Sequence, residues 1–189
     1  MLPHVIWDMG GIVYTYFTQV TVEVGERNGW PLDLLPLGPS GRVPDPDYER
    51  MLEGGLEEPE YARLVKERLQ ALGIPFDPTA DIVWENRARP ATIALLADLK
   101  RAGHRQAILT NDASRWLGPR WRDTWEFAHY FEAMVDVETI GVRKPAPQPY
   151  LAVAEALGAP VDECLFIDDM PINVRGAEAV GMEGFHFDV

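Results

Sequence analysis

Asp8 closes a short apolar run, His4-Val5-Ile6-Trp7, and Gly10-Gly11 follow at once. Apolar runs that end in polar groups recur along the chain. Thr110-Asn111-Asp112 follow a second run, Arg143-Lys144-Pro145 lie in a loop after a third, and Asp168-Asp169 end a fourth, with Asn173 further on. Together they supply acids, a hydroxyl, an amide and a lysine, a set suited to phosphoryl transfer. A carboxylate such as Asp8 attacks a phosphate only once the phosphate's charge is neutralised, because two anions repel. Magnesium, held by hard oxygen ligands, does this. Lys144 adds a point charge, and Thr110 and Asn111 can donate hydrogen bonds to the equatorial phosphate oxygens. An Asp pair at the end of an apolar strand, Asp168-Asp169, points to metal rather than to a solvated turn.

These residues do chemistry together only if the fold brings the ends of the runs to one place. Strands are expected at 4–8, 106–110, 133–137, 163–168 and 184–187, and helices at 91–101, 114–125, 148–157 and 172–180. Pro90 opens the first of these helices, and Gly103, Gly158 and Gly181 lie just past three of them. Alternating strands and helices imply an α/β, Rossmann-like parallel sheet with helices on both faces. In such a sheet ligands bind beyond the carboxyl ends of the strands, where all the named groups fall. Residues 15–89 interrupt the alternation. They are mostly helical, with helix-like spacing at 45–54 and at 58–72, where Tyr61, Leu64, Val65, Leu69 and Leu72 share a face. Between an earlier helix and these two lies a loop, 35–47, carrying Pro36, Pro39, Pro44 and Pro46, since proline cannot continue a helix interior. The expected division is a core domain of residues 1–14 and 90–189 and a small α-helical cap domain of residues 15–89.

The 189 residues suffice for one core with a modest insertion. A net charge of −13 and the lack of a basic stripe argue against nucleic acid or an anionic membrane as partner. A small phosphorylated substrate then needs a local cation, which Lys144 provides. The single cysteine, Cys164, lies in an apolar run and reads as a structural thiol. His4, His104, His129 and His186 show no zinc spacing. Trp116, Trp121 and Trp125 have near-helical spacing and read as core packing. No basic region precedes a long apolar stretch at the N-terminus, so no signal peptide is expected. No run approaches the ~20 apolar residues that span a bilayer. A cytoplasmic location is the default expectation.

Val5-Ile6-Trp7-Asp8-Met9-Gly10-Gly11-Ile12-Val13 resembles the first motif of the haloacid dehalogenase-like hydrolases. Ala107-Ile108-Leu109-Thr110-Asn111 resembles the second, and Gly141-Val142-Arg143-Lys144-Pro145-Ala146-Pro147 with Tyr150 the third. Leu165-Phe166-Ile167-Asp168-Asp169, with Asn173, Gly176-Ala177 and Gly181-Met182, resembles the fourth. Any one motif is weak, but four in order at suitable spacing are specific. The resemblance implies that Asp8 forms an aspartyl-phosphate, with Lys144 as the motif lysine. It also implies that magnesium is held by Asp8, the Gly10 carbonyl and Asp169, with Asp168 as an auxiliary ligand. Phosphatases of the family usually carry a second aspartate two residues after the nucleophile, which protonates the leaving group and then activates water. Gly10 stands there, so reduced activity is expected. The expected function is magnesium-dependent removal of phosphate from a small metabolite, sugar phosphates included. Two alternatives stand beside it. A carbon–halogen hydrolase also uses one aspartate and needs no metal, which Asp168-Asp169 argue against. A non-catalytic binding protein of the same fold is made credible by Gly10.

Overall fold

The computed structural model describes residues 3–84 and 87–188. Glu85 and Asn86, inside the expected cap, and Met1, Leu2 and Val189, at the ends of the expected core, lie outside the described residues. Two compact units divide the chain, one of Met1–Tyr14 with Trp84–Val189 and the other of Thr15–Val83.

The first unit is built on a parallel sheet of five strands: β1 (His4–Trp7), β2 (Gln106–Thr110), β3 (Ala133–Asp136), β4 (Cys164–Asp168) and β5 (Glu183–His186). The strand order is β3-β2-β1-β4-β5. Sequence reading anticipates each strand to within a residue at either end. β1 is wholly buried, as a central parallel strand covered on both faces must be. Its side chains alternate. Ile6 joins one cluster with Ala107, Leu109 and Phe166, covered by Tyr150, Val153 and Leu157 of α7 (Pro147–Leu157) and Ala177 of α8 (Pro171–Ala179). Val5 and Trp7 join the opposite cluster with Ile108 and Ile167, covered by Leu96 of α4 (Pro90–Arg101), Ala113 of α5 (Ala113–Leu117) and Trp121 of α6 (Trp121–Thr124). The helix expected over 114–125 is thus two short ones, broken at Gly118-Pro119, where Gly118 takes φ 86° and ends α5. Trp121 and Trp125 pack in the core, while Trp116 is half-buried. Cys164 is buried, and burial beside Glu163 and Asp162 pushes its thiol up to about 11, so it is inert at neutral pH.

The return from residue 83 to α4 belongs to the first unit, so the expected boundary before Pro90 moves back to Trp84. Backbone pairing is the reason: Tyr14 and Ala88 form a bridge, and the Arg89 N–H donates to the Val13 carbonyl at 2.8 Å. A buried Thr92 hydroxyl adds a bond to the Ile12 carbonyl at 2.9 Å.

The second unit contains α1 (Phe17–Asn28), α2 (Pro46–Leu52) and α3 (Glu58–Ala71). Tyr61, Val65 and Leu69 of α3 are buried as their spacing implies, whereas Leu72 is 40% exposed. The proline-rich loop is tied down by Asp45. This buried carboxylate caps α2 by accepting from the Asp47 and Tyr48 N–H groups, and it also accepts from the Gly38 N–H at 3.0 Å. The Tyr61 hydroxyl reaches it at 2.7 Å, and the Arg68 fork grips it at 2.9 and 3.0 Å. Burial raises this carboxyl, but hydrogen bonds from Arg68 and Tyr61 outweigh burial and hold it below its ordinary 3.8. Asp45→Ala leaves the buried Tyr61 hydroxyl and the capping N–H groups without their acceptor, while the Arg68 guanidinium keeps Asp47 and the Pro36 carbonyl. Equilibrium unfolding should show a loss of about 2–3 kcal/mol. The depressed folded-state value fixes the sign of the pH dependence. Asp45 adds stability above pH 3.8, and that contribution fades as pH falls through the lower folded value. An acid titration of Asp45→Asn should lack this component, and an unchanged acid limb would remove Asp45 from that role.

Candidate active site

The sheet changes direction of winding beside β1, which pairs with β2 on one side and β4 on the other. This is the switch point at which open α/β sheets bind ligands. Register does the positioning. Trp7 lies level with Ile108 and with Ile167, so the next residue of each strand carries the chain to Asp8, Leu109 and Asp168. The Asp8 N–H continues the ladder to the Ile167 carbonyl at 2.8 Å.

Between the two carboxylates lies Lys144, which is 4% exposed. Its ammonium is 2.6 Å from Asp8 Oδ1, 2.7 Å from Asp168 Oδ2 and 3.1 Å from the Leu109 carbonyl. Its three donors thus meet three acceptors. Burial lowers the lysine's proton affinity, but the charges of Asp168 and Asp8 overcome this and hold it above the ordinary lysine value. For Asp8 the balance runs the other way. Burial and the neighbouring Asp168 push it up to about 7, against the pull of Lys144.

Asp168 is fully buried and densely bonded. Beyond Lys144, both of its oxygens accept from the Asn173 Nδ2 at 3.1 Å, and Oδ1 also accepts from the Met170 N–H at 2.8 Å. Asn173 lies in the first turn of α8, and its main-chain carbonyl takes the Tyr150 hydroxyl at 2.7 Å. Asp169 lies against the turn after β1: a methyl group built on Gly11 would come 2.2 Å from Asp169 Oδ2. Gly11 also takes φ +69°, so the turn needs glycine on both counts. Gly10 differs, with only Asp8 Oδ2, at 3.9 Å, near the place of a methyl group. Its carbonyl accepts the Ile12 N–H at 2.8 Å, which leaves one lone pair. The His186 Nε2 meets the Asp169 carbonyl at 3.1 Å, so that ring nitrogen carries the hydrogen.

Asp8, Asp168 and Asp169 each offer an oxygen within 4.8 Å of the others, the one group among the described residues that could hold a metal ion in this way. Thr110 ends β2, buried, with its hydroxyl accepting the Asp112 N–H at 3.4 Å. Asn111 is turned toward the lysine loop: its Oδ1 accepts the Lys144 N–H at 3.0 Å and its Nδ2 donates to the Lys144 carbonyl at 3.4 Å. Asn173 and the Leu109 carbonyl had no assigned part in the sequence reading. Asn173 was legible as an amide one helical turn beyond an Asp pair, whereas the carbonyl had no side-chain signal.

A family model of haloacid dehalogenase-like hydrolases matches residues 4–181, and the chain belongs to that family. Among curated relatives, a phosphatase of Mycobacterium tuberculosis is 33% identical over 101 residues, covering 53% of this chain and 45% of that protein. A phosphoglycolate phosphatase of Pseudomonas putida is 27% identical over 134 residues, covering 71% of this chain and 48% of that protein. The chain therefore spans less than half the length of these relatives. Among solved structures, the L-2-haloacid dehalogenase of Xanthobacter autotrophicus superposes with a TM-score of 0.61 at 22% identity, covering 96% of this chain and 76% of that one. That likeness establishes the shared fold. No helix among the described residues is long and apolar enough to cross a membrane.

Proposed function

We propose that this protein is a magnesium-dependent phosphatase of small phosphorylated metabolites, sugar phosphates included, in which Asp8 is the nucleophile. The observation that carries this reading is the lysine buried between Asp8 and Asp168 at the switch point, with Asp169 beside them. The relatives named as phosphatases support it. The donor set is all oxygen and rich in carboxylate, which fits a hard cation. Asp8, Asp169 and the Gly10 carbonyl would hold magnesium. Asp168 is an auxiliary ligand at most, because its oxygens are already engaged. When bound, magnesium would neutralise the phosphate and favour the ionised form of Asp8.

The carboxylate of Asp8 attacks phosphorus, a new O–P bond forms, and the ester P–O bond breaks with its electron pair left on the departing oxygen. Lys144 opposes the protonation that burial would impose on Asp8, and it offsets the incoming anion. The Thr110 hydroxyl can donate to an equatorial oxygen, and Asn111 can do so only while it also holds the lysine loop. Water then attacks the aspartyl-phosphate, the bond to Asp8 breaks, and inorganic phosphate leaves. Gly10 supplies no carboxyl for the first proton or the second, so both exchange with solvent or substrate. Residues 15–83, the second unit, are proposed as the cap domain that selects the substrate.

A panel of phosphorylated metabolites assayed with and without magnesium tests the reading. Phosphate release only with the metal is expected. Halide release from a 2-haloacid without magnesium would replace this reading with the carbon–halogen hydrolase. Magnesium binding without any turnover would favour the binding protein. Calorimetric titration of Asp169→Asn should show much weaker magnesium binding, and unchanged affinity would remove Asp169 from the metal site.

A further inference from the structure

We infer that Asp112 and Arg143 form a clamp that positions Lys144, an inference that rests on the phosphatase reading for its catalytic consequence. A lysine side chain is a flexible stem with a compact charge at its tip. Its aim depends on how firmly its backbone is held. Here the backbone of the lysine loop is tied to the loop after β2 in two ways. The Asn111 amide brackets Lys144, taking its N–H at 3.0 Å and reaching its carbonyl at 3.4 Å. One residue along each loop, the Arg143 fork grips both oxygens of Asp112, through Nη1 at 3.1 Å and through Nη2, while Nη1 also lies 3.4 Å from the Asn111 carbonyl. Thr110-Asn111-Asp112 and Arg143-Lys144 are thereby laced side by side.

Capping does not account for Asp112. It occupies the N-cap position of α5, yet its side chain makes no capping hydrogen bond there. Its carboxylate is only 7% exposed, and a two-pronged guanidinium contact in such a place is both strong and directional. A second cation, Arg115, stands 3.8 Å away and is mostly exposed, so it offsets charge without fixing a loop. The end reached by this clamp is an ammonium with all three donors committed inside the site. A small shift of the loop would break that triple contact, and misplacement by about 1 Å can cost on the order of a hundredfold in rate. Asp112 and Arg143 are positioning residues in this scheme, acting through Lys144.

Asp112→Asn and Arg143→Gln, singly and together, test the inference, with Asp112→Glu as the conservative variant. The first readout needs no activity: an amine-reactive acylating reagent, with labelling of Lys144 followed by peptide mass spectrometry. Measured well below each variant's thermal midpoint, labelling should be slow in the unmodified protein and several-fold faster in either single variant, with partial recovery in Asp112→Glu. The second readout is kcat/KM on two aryl phosphates that differ in leaving-group acidity. Both should fall by the same factor, about tenfold or more, because Lys144 faces the phosphoryl group and Asp8. The double variant should be no worse than either single one, as expected for two residues acting as a unit. Unchanged Lys144 labelling would overturn the inference whatever the activity shows. So would losses that multiply in the double variant, or a loss that depends on the leaving group, which would mean direct contact of Arg143 with substrate. Failure of the phosphatase reading looks different: no magnesium-dependent turnover by the unmodified protein, with the labelling pattern intact.

Discussion

Asp8→Asn should abolish phosphatase turnover while leaving the fold at least as stable. The amide keeps the shape of the side chain and its place at the end of β1, but it lacks the negative charge that makes the carboxylate oxygen a nucleophile. The loss should be at least the ~100-fold typical of removing a catalytic group, and larger for a nucleophile. Stability should move in the opposite direction. In the metal-free protein, burial pushes the Asp8 carboxyl up to about 7 from 3.8. A raised folded-state value means that this group's contribution to stability is full below pH 3.8 and is lost as pH rises toward 7. At neutral pH the carboxylate therefore costs the fold something that a neutral amide does not. Magnesium-dependent kinetics and thermal unfolding in chelator check the two halves separately. Retained turnover would mean that Asp8 is not the nucleophile. A large drop in thermal midpoint would mean that the ion pair with Lys144 outweighs desolvation.

Gly10→Asp should turn a selective enzyme into a more general one. Without a carboxyl at position 10, the departing oxygen leaves unprotonated, so the unmodified protein should hydrolyse aryl phosphates well and alkyl phosphates poorly. Hydrolysis of the aspartyl-phosphate also lacks its base, so a burst of product followed by slow turnover is expected. The local structure admits the missing group. Gly10 is exposed, its φ lies outside the left-handed region, and the place of its Cβ is open apart from Asp8 Oδ2 at 3.9 Å. The strained position is its neighbour Gly11. A restored acid should raise alkyl phosphate turnover by ~100-fold or more and shrink the burst. Equal, burst-free turnover of aryl and alkyl phosphates by the unmodified protein would show that another group already supplies the proton.

The fold was legible because its rules are coarse. Apolar runs bounded by glycine and proline located all five strands, and alternation with helices made the sheet parallel. The convergence of Asp8, Lys144 and Asp168 followed from the rule that ligands gather beyond the carboxyl ends of strands. Orientation was not legible. In the sequence Asn111 reads as a donor to phosphate, and nothing there shows that its amide also clips the Lys144 backbone, which depends on how two loops lie side by side. Asp168 and Asp169 are adjacent and chemically identical, yet one is saturated by Lys144, Asn173 and Met170 while the other abuts Gly11. Helix-like spacing began at Asp45, but nothing local announced that Tyr61 and Arg68 would meet its carboxylate.

The place of β1 in the sheet sets a problem of timing during synthesis. Ile6 pairs with Ala107 on one side and Phe166 on the other. Translation runs from the N-terminus, so β1 leaves the ribosome long before either partner exists. Residues 15–83 form their own compact unit and emerge in full while β1 has nothing to pair with. In that interval a mainly apolar strand, with Trp7 at its end, has both edges open, the condition under which nascent chains associate wrongly. The core is thus assembled late and around its oldest segment. A chain stalled before β4 would display β1 and β2 with Asp8 in place but without Asp168, and so with nothing on that side to hold the lysine.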